Sequence, residues 1–257
     1  MPKVALITGI RRIGFYVAQY LLNNGYELAI LYRSSSREAE ELKNYALRLN
    51  RKVLTFKVDL TDPNTYRNIP QKVYQILGRI DLLLNIASPF GTVDFFETEV
   101  ETFRKYWTSI VEASFFLSQG VARYMKLNKG TVKGRIINFG DWSTVVGNPY
   151  RNFSPYLIAK GGLDTLTEVL AVELAPDILV NEIALGPVLP PMLNDREKTD
   201  HWSDYIKEKT LLGRPVNIED ILSAVDFFAK TSSVTGEILI LDSGQRFVGK
   251  GYRKGKD

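Results

Sequence analysis

The sequence predicts an α/β fold, built as a single doubly wound parallel sheet of about seven strands with helices on both faces. Three observations support this prediction. Short apolar segments rich in β-branched residues alternate with longer segments of helical periodicity along the whole chain. The strand segments are almost continuously apolar, which is typical of parallel strands buried on both faces. The first strand also ends in a glycine turn that leads directly into a helix.

Each element follows from a change in the spacing of apolar residues. In the first half, strands are predicted at residues 3–8, 27–32, 52–58 and 80–85, and helices from residue 13 and at 37–49 and 66–77. In the second half, helices at 100–127, 154–175, 200–211 and 218–230 alternate with strands at 134–139, 178–184 and 237–241. Because no linker or repeat divides the chain, we expect one domain over residues 1–250 and a basic tail at 251–257.

The composition excludes several classes of function. The net charge of +4 is spread along the chain without a basic stripe, so no nucleic-acid partner is expected. No apolar run approaches the about 18 residues of a membrane span, and no signal peptide precedes the first strand. The lack of cysteine fits the cytoplasm, and a single histidine, His201, predicts no metal site.

Tyr156 and Lys160 are four positions apart in the helix predicted at 154–175. Side chains at this spacing lie on the same face of a helix, so the ammonium would lie close to the phenol. A nearby cation stabilises a phenolate, and we therefore expect Lys160 to lower the pKa of Tyr156 from about 10. Such a pair could exchange a proton with a carbonyl or an imine. Gly161 and Gly162 weaken the helix and predict close approach of a backbone or a ligand.

The loop after the first strand, ITGIRRIG, predicts a phosphate-binding site. One glycine follows the strand directly, and the second lies in the first turn of the next helix. This arrangement lets the backbone approach a pyrophosphate, which the free N–H groups of the helix face. The predicted binding residues in this loop are Gly9, Arg11, Arg12, Ile13 and Gly14.

The end of the second strand, LYRSSSR, predicts a preference for NADPH. Sites for NAD usually carry an acidic residue here, whereas a basic residue accommodates a 2′-phosphate. Arg33 occupies this place, with Ser34 beside it and Arg12 available from the first loop. Further cofactor positions at the ends of the third and fourth strands are Asp59, Leu60, Asn85 and Ala87.

In their order along the chain, the motifs TGIRRIG, NIAS, IINF and Tyr156-x-x-x-Lys160 resemble those of short-chain dehydrogenases/reductases over nearly the whole length. The resemblance implies a Rossmann-type domain that binds a small-molecule substrate, with a nicotinamide cofactor, a tyrosine acid, a lysine that holds the ribose, and dimers or tetramers. It also implies that Pro187 and Val188 meet the nicotinamide. Residues around 188–213 would then form a substrate lid.

Departures from the usual family pattern are similar to the pteridine reductase and dihydromonapterin reductase branch. The phosphate loop is one residue short and carries an arginine before Ile13, and Asp141 stands where serine is usual. This resemblance implies that Tyr156 protonates a pterin nitrogen while NADPH delivers hydride to the adjacent carbon. Asp141 would assist the proton supply and Phe90 would stack on the pterin. The remaining substrate contacts implied are Ser88 and Arg12.

Two questions stay open at this level. Counting from the strand makes Asp141 the partner of Tyr156, whereas the family spacing counted back from Tyr156 favours Ser143. The long helix also holds Ile110 or Val111 where the family has an asparagine of the proton relay. A pterin reductase is the leading hypothesis, with a 3-oxoacyl carrier-protein reductase or another carbonyl reductase as the alternative. A non-catalytic dinucleotide-binding protein is the third reading, against which the intact tyrosine and lysine argue.

Overall fold

The computed structural model describes residues 1–190 and 201–249, and its centre is one parallel sheet of seven strands. The strand order is β3-β2-β1-β4-β5-β6-β7, and every neighbouring pair is parallel. The predicted doubly wound fold is therefore confirmed. The strands are β1 (Val4–Thr8), β2 (Glu27–Tyr32), β3 (Val53–Lys57), β4 (Leu82–Asn85), β5 (Gly134–Asp141), β6 (Ile178–Leu185) and β7 (Ile238–Leu241).

The helices cover both faces of the sheet and create two separate apolar cores. Alternate residues of β1 belong to opposite cores: Val4 and Leu6 face α4, α6 and α8, whereas Ala5 and Ile7 face α1, α2 and α10. Within the described residues the helices are α1 (Ile13–Asn23), α2 (Ser36–Arg48), α3 (Pro63–Tyr66), α4 (Ile69–Leu77), α5 (Val100–Trp107), α6 (Ala113–Met125), α7 (Trp142–Val145), α8 (Ser154–Leu174), α9 (Trp202–Lys209) and α10 (Ile218–Lys230).

The strand order reverses between β1 and β4, and the crevice at their carboxyl ends is where open α/β sheets bind ligands. Thr8 pairs with Asn85 in register, and its hydroxyl accepts hydrogen bonds from the backbone N–H groups of Ile86 at 3.1 Å and Ala87 at 3.2 Å. Asn85 in turn pairs with Asn138 on β5. These contacts bring the ends of three strands to one edge.

The structure differs from the sequence prediction in several local details. The helix predicted at 100–127 contains a π-helical turn, Thr108–Glu112, between α5 and α6. The segment at 66–77 is divided between α3 and α4, with Pro70 in the first turn of α4. Strand β5 runs on to Asp141, whose side chain accepts a hydrogen bond from the Ser143 N–H and caps the single turn α7.

The predicted substrate lid is described only in part. Residues 191–200 and the tail at 251–257 lie outside the described residues, whereas residues 202–209 form α9. Across the helices that the structure does describe, none is long and apolar enough to cross a membrane.

Candidate active site

The predicted phosphate loop lies directly against the end of β4. Gly9 adopts φ of 74°, and a Cβ there would lie 2.8 Å from the Cα of Ala87. A Cβ on Gly14 would overlap the carbonyl of Gly9. Both positions therefore require glycine, and α1 begins at Ile13 with its N–H groups directed at the loop. The backbone cradle that a pyrophosphate needs is thus present.

Arg12 occupies the strained position of this loop. It has φ of 58°, a region that glycine tolerates better than any side chain. Its guanidinium donates a hydrogen bond of 2.7 Å to the carbonyl of Pro190, the last described residue before 191–200. Arg12 therefore connects the phosphate loop to the start of the predicted lid, and both Arg12 and Arg11 are exposed.

The predicted adenosine end of the site is a cleft of about 490 Å³. Hydrogen bonds from the Thr61 backbone and hydroxyl hold Asp59 in place and lower its pKa. Arg33 and Asp59 lie in this cleft, Ser34 is exposed beside it, and Leu60 packs onto the apolar core below. Two further cations in the cleft come from α5, and no sequence motif marks them. The residues around the cleft are Arg33, Asp59, Thr61, Glu101, Arg104, Lys105 and Thr108.

Tyr156 and Asp141 form the centre of the site. The Tyr156 hydroxyl donates a hydrogen bond to Asp141 Oδ2 at 3.0 Å, and both side chains are buried. Ser143 donates to the other oxygen, Oδ1, at 2.7 Å from its hydroxyl and 2.9 Å from its backbone N–H. Of the two candidate partners, Asp141 contacts Tyr156 directly, whereas Ser143 binds the opposite oxygen of the Asp141 carboxylate.

Tyr150 is a member of this cluster that sequence reasoning missed. Its hydroxyl donates to Asp141 Oδ2 at 2.8 Å, the same oxygen that Tyr156 uses. Burial and the Asp141 carboxylate both raise the pKa of Tyr150. The two phenols therefore remain protonated donors around one carboxylate, an arrangement suited to passing protons.

The pKa of Tyr156 is raised, first by burial and then by Asp141 and Tyr150. The expectation that Lys160 lowers it is therefore wrong in this structure. The Lys160 ammonium lies 5.8 Å from the Tyr156 ring centroid, over the ring and not beside the hydroxyl. A buried tyrosine next to a carboxylate favours the neutral phenol, so Tyr156 keeps its proton at neutral pH and is a weaker acid than a free phenol.

Lys160 is buried beneath Tyr156 on the next turn of α8. It donates a short hydrogen bond to the carbonyl of Phe139 on β5. The glycines that follow have different surroundings. A Cβ on Gly162 would lie 3.1 Å from Trp107 and Val111, so this glycine permits close helix packing, whereas nothing approaches Gly161 within 4 Å.

An aromatic cluster surrounds the exposed side of Tyr156. Phe90 is 67% exposed, and its ring lies 5.1 Å from that of Tyr156, edge to face, and 5.0 Å from that of Phe153. Tyr150 packs edge to face on Phe153 at 4.9 Å. A backbone hydrogen bond of 2.7 Å from Val93 to the carbonyl of Asn152 joins the two loops that carry these rings. The largely exposed Phe90 ring offers a flat face next to the proton donor.

The remaining predicted residues lie around this centre. The Ser88 hydroxyl donates to the carbonyl of Pro89 at 3.0 Å, below Phe90. Val188 is buried, and the carbonyl of Pro187 accepts a hydrogen bond of 2.9 Å from Val216. The Asn85 side chain donates to Asn138 at 2.9 Å, so it is part of a buried polar chain.

Comparison with known proteins agrees with this geometry. The model of the enoyl-(acyl carrier protein) reductase family matches residues 9–246. The NADP(+)-dependent L-rhamnose 1-dehydrogenase of Thermoplasma acidophilum is 30% identical, covering 94% of this chain and 95% of that protein. Human 3-oxoacyl-[acyl-carrier-protein] reductase is 29% identical, covering 96% of this chain and all of the other.

Among solved structures, the FolM alternative dihydrofolate reductase 1 of Brucella canis, complexed with NADP, superposes with a TM-score of 0.84. It is 25% identical, and the match covers 98% of this chain and 96% of that chain. The family match and the fold both extend over almost the whole molecule. The chain therefore belongs to the short-chain dehydrogenase/reductase family.

Proposed function

We propose that this protein is an NADPH-dependent oxidoreductase that reduces a C=N bond of a pterin-type substrate, with Tyr156 as the proton donor. The observation that carries the proposal is the hydrogen bond from Tyr156 to Asp141, next to the exposed ring of Phe90. The single reductase domain spans residues 1–250, with a substrate lid around 188–213. The absence of cysteine fits a cytoplasmic enzyme.

NADPH fits the residues at the strand ends. The tight turn formed by Gly9 and Gly14, which packs too closely for a Cβ at either position, leads into the start of α1, where free N–H groups suit a pyrophosphate. Arg33, Arg104 and Lys105 supply positive charge around the adenosine cleft, which suits a 2′-phosphate. The rhamnose dehydrogenase is named for NADP(+), and the FolM structure contains NADP.

Each residue of the centre has a defined task in the proposed reaction. When bound, NADPH supplies the hydride that reduces the substrate carbon. Tyr156 transfers its proton to the adjacent nitrogen, which becomes basic as the substrate carbon is reduced, and its raised pKa means that the phenol is fully protonated before the transfer. Asp141 orients the Tyr156 hydroxyl and accepts a second hydrogen bond from Tyr150, which supplies a path for replacing the proton. Lys160 provides a fixed donor for the ribose.

The pterin-type substrate is favoured by two features together. A flat heterocycle gains stacking energy on an aromatic face, and Phe90 presents such a face beside the Tyr156 ring. Position 141 also carries a carboxylate where the family usually has serine, and this carboxylate binds the proton donor Tyr156 directly. The FolM enzyme, named an alternative dihydrofolate reductase, shares the fold over 98% of this chain.

The second candidate is a 3-oxoacyl carrier-protein reductase or another carbonyl reductase. It is favoured by the human 3-oxoacyl-[acyl-carrier-protein] reductase, which aligns along its full length. Tyr156 would then protonate the carbonyl oxygen in the same way. The difference lies at position 141, because in this case Ser143 would partner Tyr156 during turnover and loss of the Asp141 carboxylate should leave activity largely intact.

The test compares NADPH oxidation with a dihydropterin and with a 3-oxoacyl thioester, using the wild type and Asp141→Ser. We expect turnover of the dihydropterin that collapses in the variant. Activity on the thioester alone, retained in the variant, establishes the carbonyl reductase. Loss of every activity in both assays, with NADPH still bound, supports the non-catalytic reading.

We also propose that the protein forms a homodimer or homotetramer through the outer face of α5, α6 and α8. Apolar side chains on these helices are exposed, and a second copy of the same face would cover them. The exposed residues are Trp107, Phe115, Ile158, Val169 and Val172. Light scattering coupled to size-exclusion chromatography gives the mass directly, and a monomer at micromolar concentration contradicts the proposal.

A further inference from the structure

A second polar cluster lies beside Lys160, further along α8 than Tyr156, and the proposed reaction does not use it. Glu182 is in the middle of β6, fully buried within the otherwise apolar strand ILVNEIAL. Asp164 follows Lys160 by one turn of α8. An uncompensated carboxylate in such a place is costly, so each oxygen must have a partner.

The hydrogen-bond donors near Glu182 form a chain in which each side chain donates to the next. The Asn85 amide donates to Asn138 at 2.9 Å, and the Asn138 amide donates to the Thr167 hydroxyl at 2.8 Å. The Thr167 hydroxyl lies 3.0 Å from the carbonyl of Leu163 and 2.7 Å from Glu182 Oε2, and its single proton goes to the nearer oxygen, which belongs to a carboxyl group. Each donor in this chain is already bound to the next group, so none is left for Glu182 Oε1. The chain therefore satisfies only Oε2 of Glu182.

The second oxygen of Glu182 faces another carboxyl group. Glu182 Oε1 and Asp164 Oδ1 are both buried, and neither finds an N–H or O–H donor among the described residues. Asp164 lies one turn of α8 before Thr167, whose hydroxyl is 2.7 Å from Glu182, so the two carboxyl groups come within hydrogen-bonding reach of each other. Two ionised carboxylates offer no donor, so this contact needs one proton held between them.

The backbone of β5 is shaped to admit this pair next to Lys160. A Cβ at position 140 would overlap Glu182 Oε1, so only glycine leaves room for the carboxyl group. The carbonyl that Lys160 binds belongs to Phe139, the residue just before Gly140. Glu182 and the lysine ammonium therefore approach adjacent peptide units of the same strand.

The charges facing the ammonium come from three elements. They are Asp141 on β5, Asp164 on α8 and Glu182 on β6, with the neutral phenols of Tyr156 and Tyr150 nearby. Three ionised carboxylates around one ammonium would leave a buried net charge of about −2, which the low dielectric opposes. One shared proton brings the pair to a single negative charge.

We propose that Asp164 and Glu182 are positioning residues that hold one proton between them and together supply one negative countercharge that keeps buried Lys160 protonated. Burial and the neighbouring carboxyl raise the pKa of Glu182, in agreement with a retained proton. Burial lowers the pKa of Lys160, and Glu182 is the strongest of the charges that oppose this.

The number of negative charges that each variant leaves on the pair tests the proposal. Glu182→Gln leaves Asp164 ionised, and Asp164→Asn leaves Glu182 ionised, so each single variant keeps one negative charge. The double variant Asp164→Asn/Glu182→Gln keeps none. Glu168→Gln, which removes an exposed carboxylate from the same helix, is the matched control.

Two measurements on the purified protein separate the two halves of the proposal. Infrared spectra in D₂O at neutral pH should show the C=O stretch of a protonated carboxylic acid in the wild type and in Glu168→Gln, and lose it in either single variant. NADPH affinity, titrated by fluorescence from neutral to alkaline pH, reports the charge of Lys160 and does not depend on the substrate.

We expect the alkaline loss of NADPH affinity to move to lower pH by about one unit or more in the double variant, since an opposite charge within reach shifts a pKa by about 1–3 units. The pH dependence of NADPH affinity in each single variant should match that of the wild type. An absent infrared band overturns the shared proton. Single variants that shift the titration as far as the double overturn the countercharge. Circular dichroism of each variant confirms that it is folded.

Discussion

The Tyr156 hydroxyl donates its hydrogen bond to Asp141 and not to Ser143, at 3.0 Å from Oδ2. The Ser143 hydroxyl lies 2.7 Å from the opposite oxygen of the same carboxylate. A carboxylate, with its two oxygens, is thus inserted between the tyrosine and the serine. The order of these three groups determines which substitution should affect the chemistry most.

Asp141→Asn should lower kcat/KM by about 10²–10⁴, the usual contribution of a positioned acid–base group. The Asp141 carboxylate helps raise the pKa of Tyr156, so its removal should also move the alkaline limb of the pH–rate profile to lower pH. Ser143→Ala removes one hydrogen bond to Asp141 and should cost about tenfold or less. Equal losses in the two variants would show that Ser143 contacts Tyr156 during turnover.

Tyr150→Phe should lower kcat/KM by about tenfold to a hundredfold, because a hydrogen bond to a charged group contributes about 1.5–3 kcal/mol. The hydroxyl it removes lies 2.8 Å from Asp141 Oδ2. Tyr45→Phe is the control, since its hydroxyl binds the distant Asn23 at the surface. Steady-state rates that are unchanged in Tyr150→Phe exclude this residue from the proton path.

Phe90→Ala should raise the KM for a dihydropterin by about two- to tenfold, since an aromatic stacking contact contributes about 0.5–1.5 kcal/mol. We expect little change in kcat, because the ring touches Tyr156 only at its edge. Phe96→Ala removes an even more exposed ring and should leave KM unchanged. If the KM for the dihydropterin is the same in Phe90→Ala and in the wild type, the stacking role of Phe90 is contradicted.

Arg33→Ala should weaken NADPH binding by about tenfold to a hundredfold, in line with the loss of one charge-assisted hydrogen bond of about 1.5–3 kcal/mol. NADH lacks the 2′-phosphate, so its affinity should not fall. Arg48→Ala removes an arginine from the surface of α2 as the control. Fluorescence titration of both cofactors gives the ratio, and a parallel loss for NADH rejects the 2′-phosphate assignment.

The buried pair of carboxyl groups should make the wild type less stable as pH rises. The folded pKa of Glu182 is raised, so its contribution to stability is complete below the ordinary value of 4.5 and is lost as pH rises through the folded pKa. Glu182→Gln removes this ionisation. As pH rises from 4.5 through the folded pKa of Glu182, the Tm of the wild type should therefore fall more steeply than the Tm of Glu182→Gln. Parallel plots of Tm against pH for the two proteins would contradict the raised pKa.

Much of the architecture could be predicted because it rests on local patterns. The continuous apolar strands and the glycine turn at Gly9 depend on neighbouring residues alone, and the strands fall within two residues of the predicted bounds. Tyr156, Lys160 and Asp141 meet because α8 packs beside β5. The sequence predicts both the helical spacing of Tyr156 and Lys160 and the strand that ends near Asp141.

The missed residues depend on long-range contacts. Tyr150 and Phe153 reach the site through a loop whose path is set by the bond between Val93 and Asn152, which no local pattern reveals. Glu182 did leave a signal, since a glutamate inside a continuous apolar strand is unusual and needs a buried partner. The π-helical turn, Thr108–Glu112, interrupts a helix whose sequence carries no proline or glycine there.

The 2.7 Å bond from Val93 to Asn152 also bears on how this enzyme could be redesigned. It joins the loop of Phe90 to the loop of Tyr150 and Phe153, whereas Asp141 is held by the end of β5. Insertions in the first loop would move the ring that meets the substrate and leave the carboxylate where the strand fixes it. Libraries that vary loop length around Val93 should therefore yield new substrate ranges while Asp141 and Tyr156, which β5 and α8 hold, keep their positions.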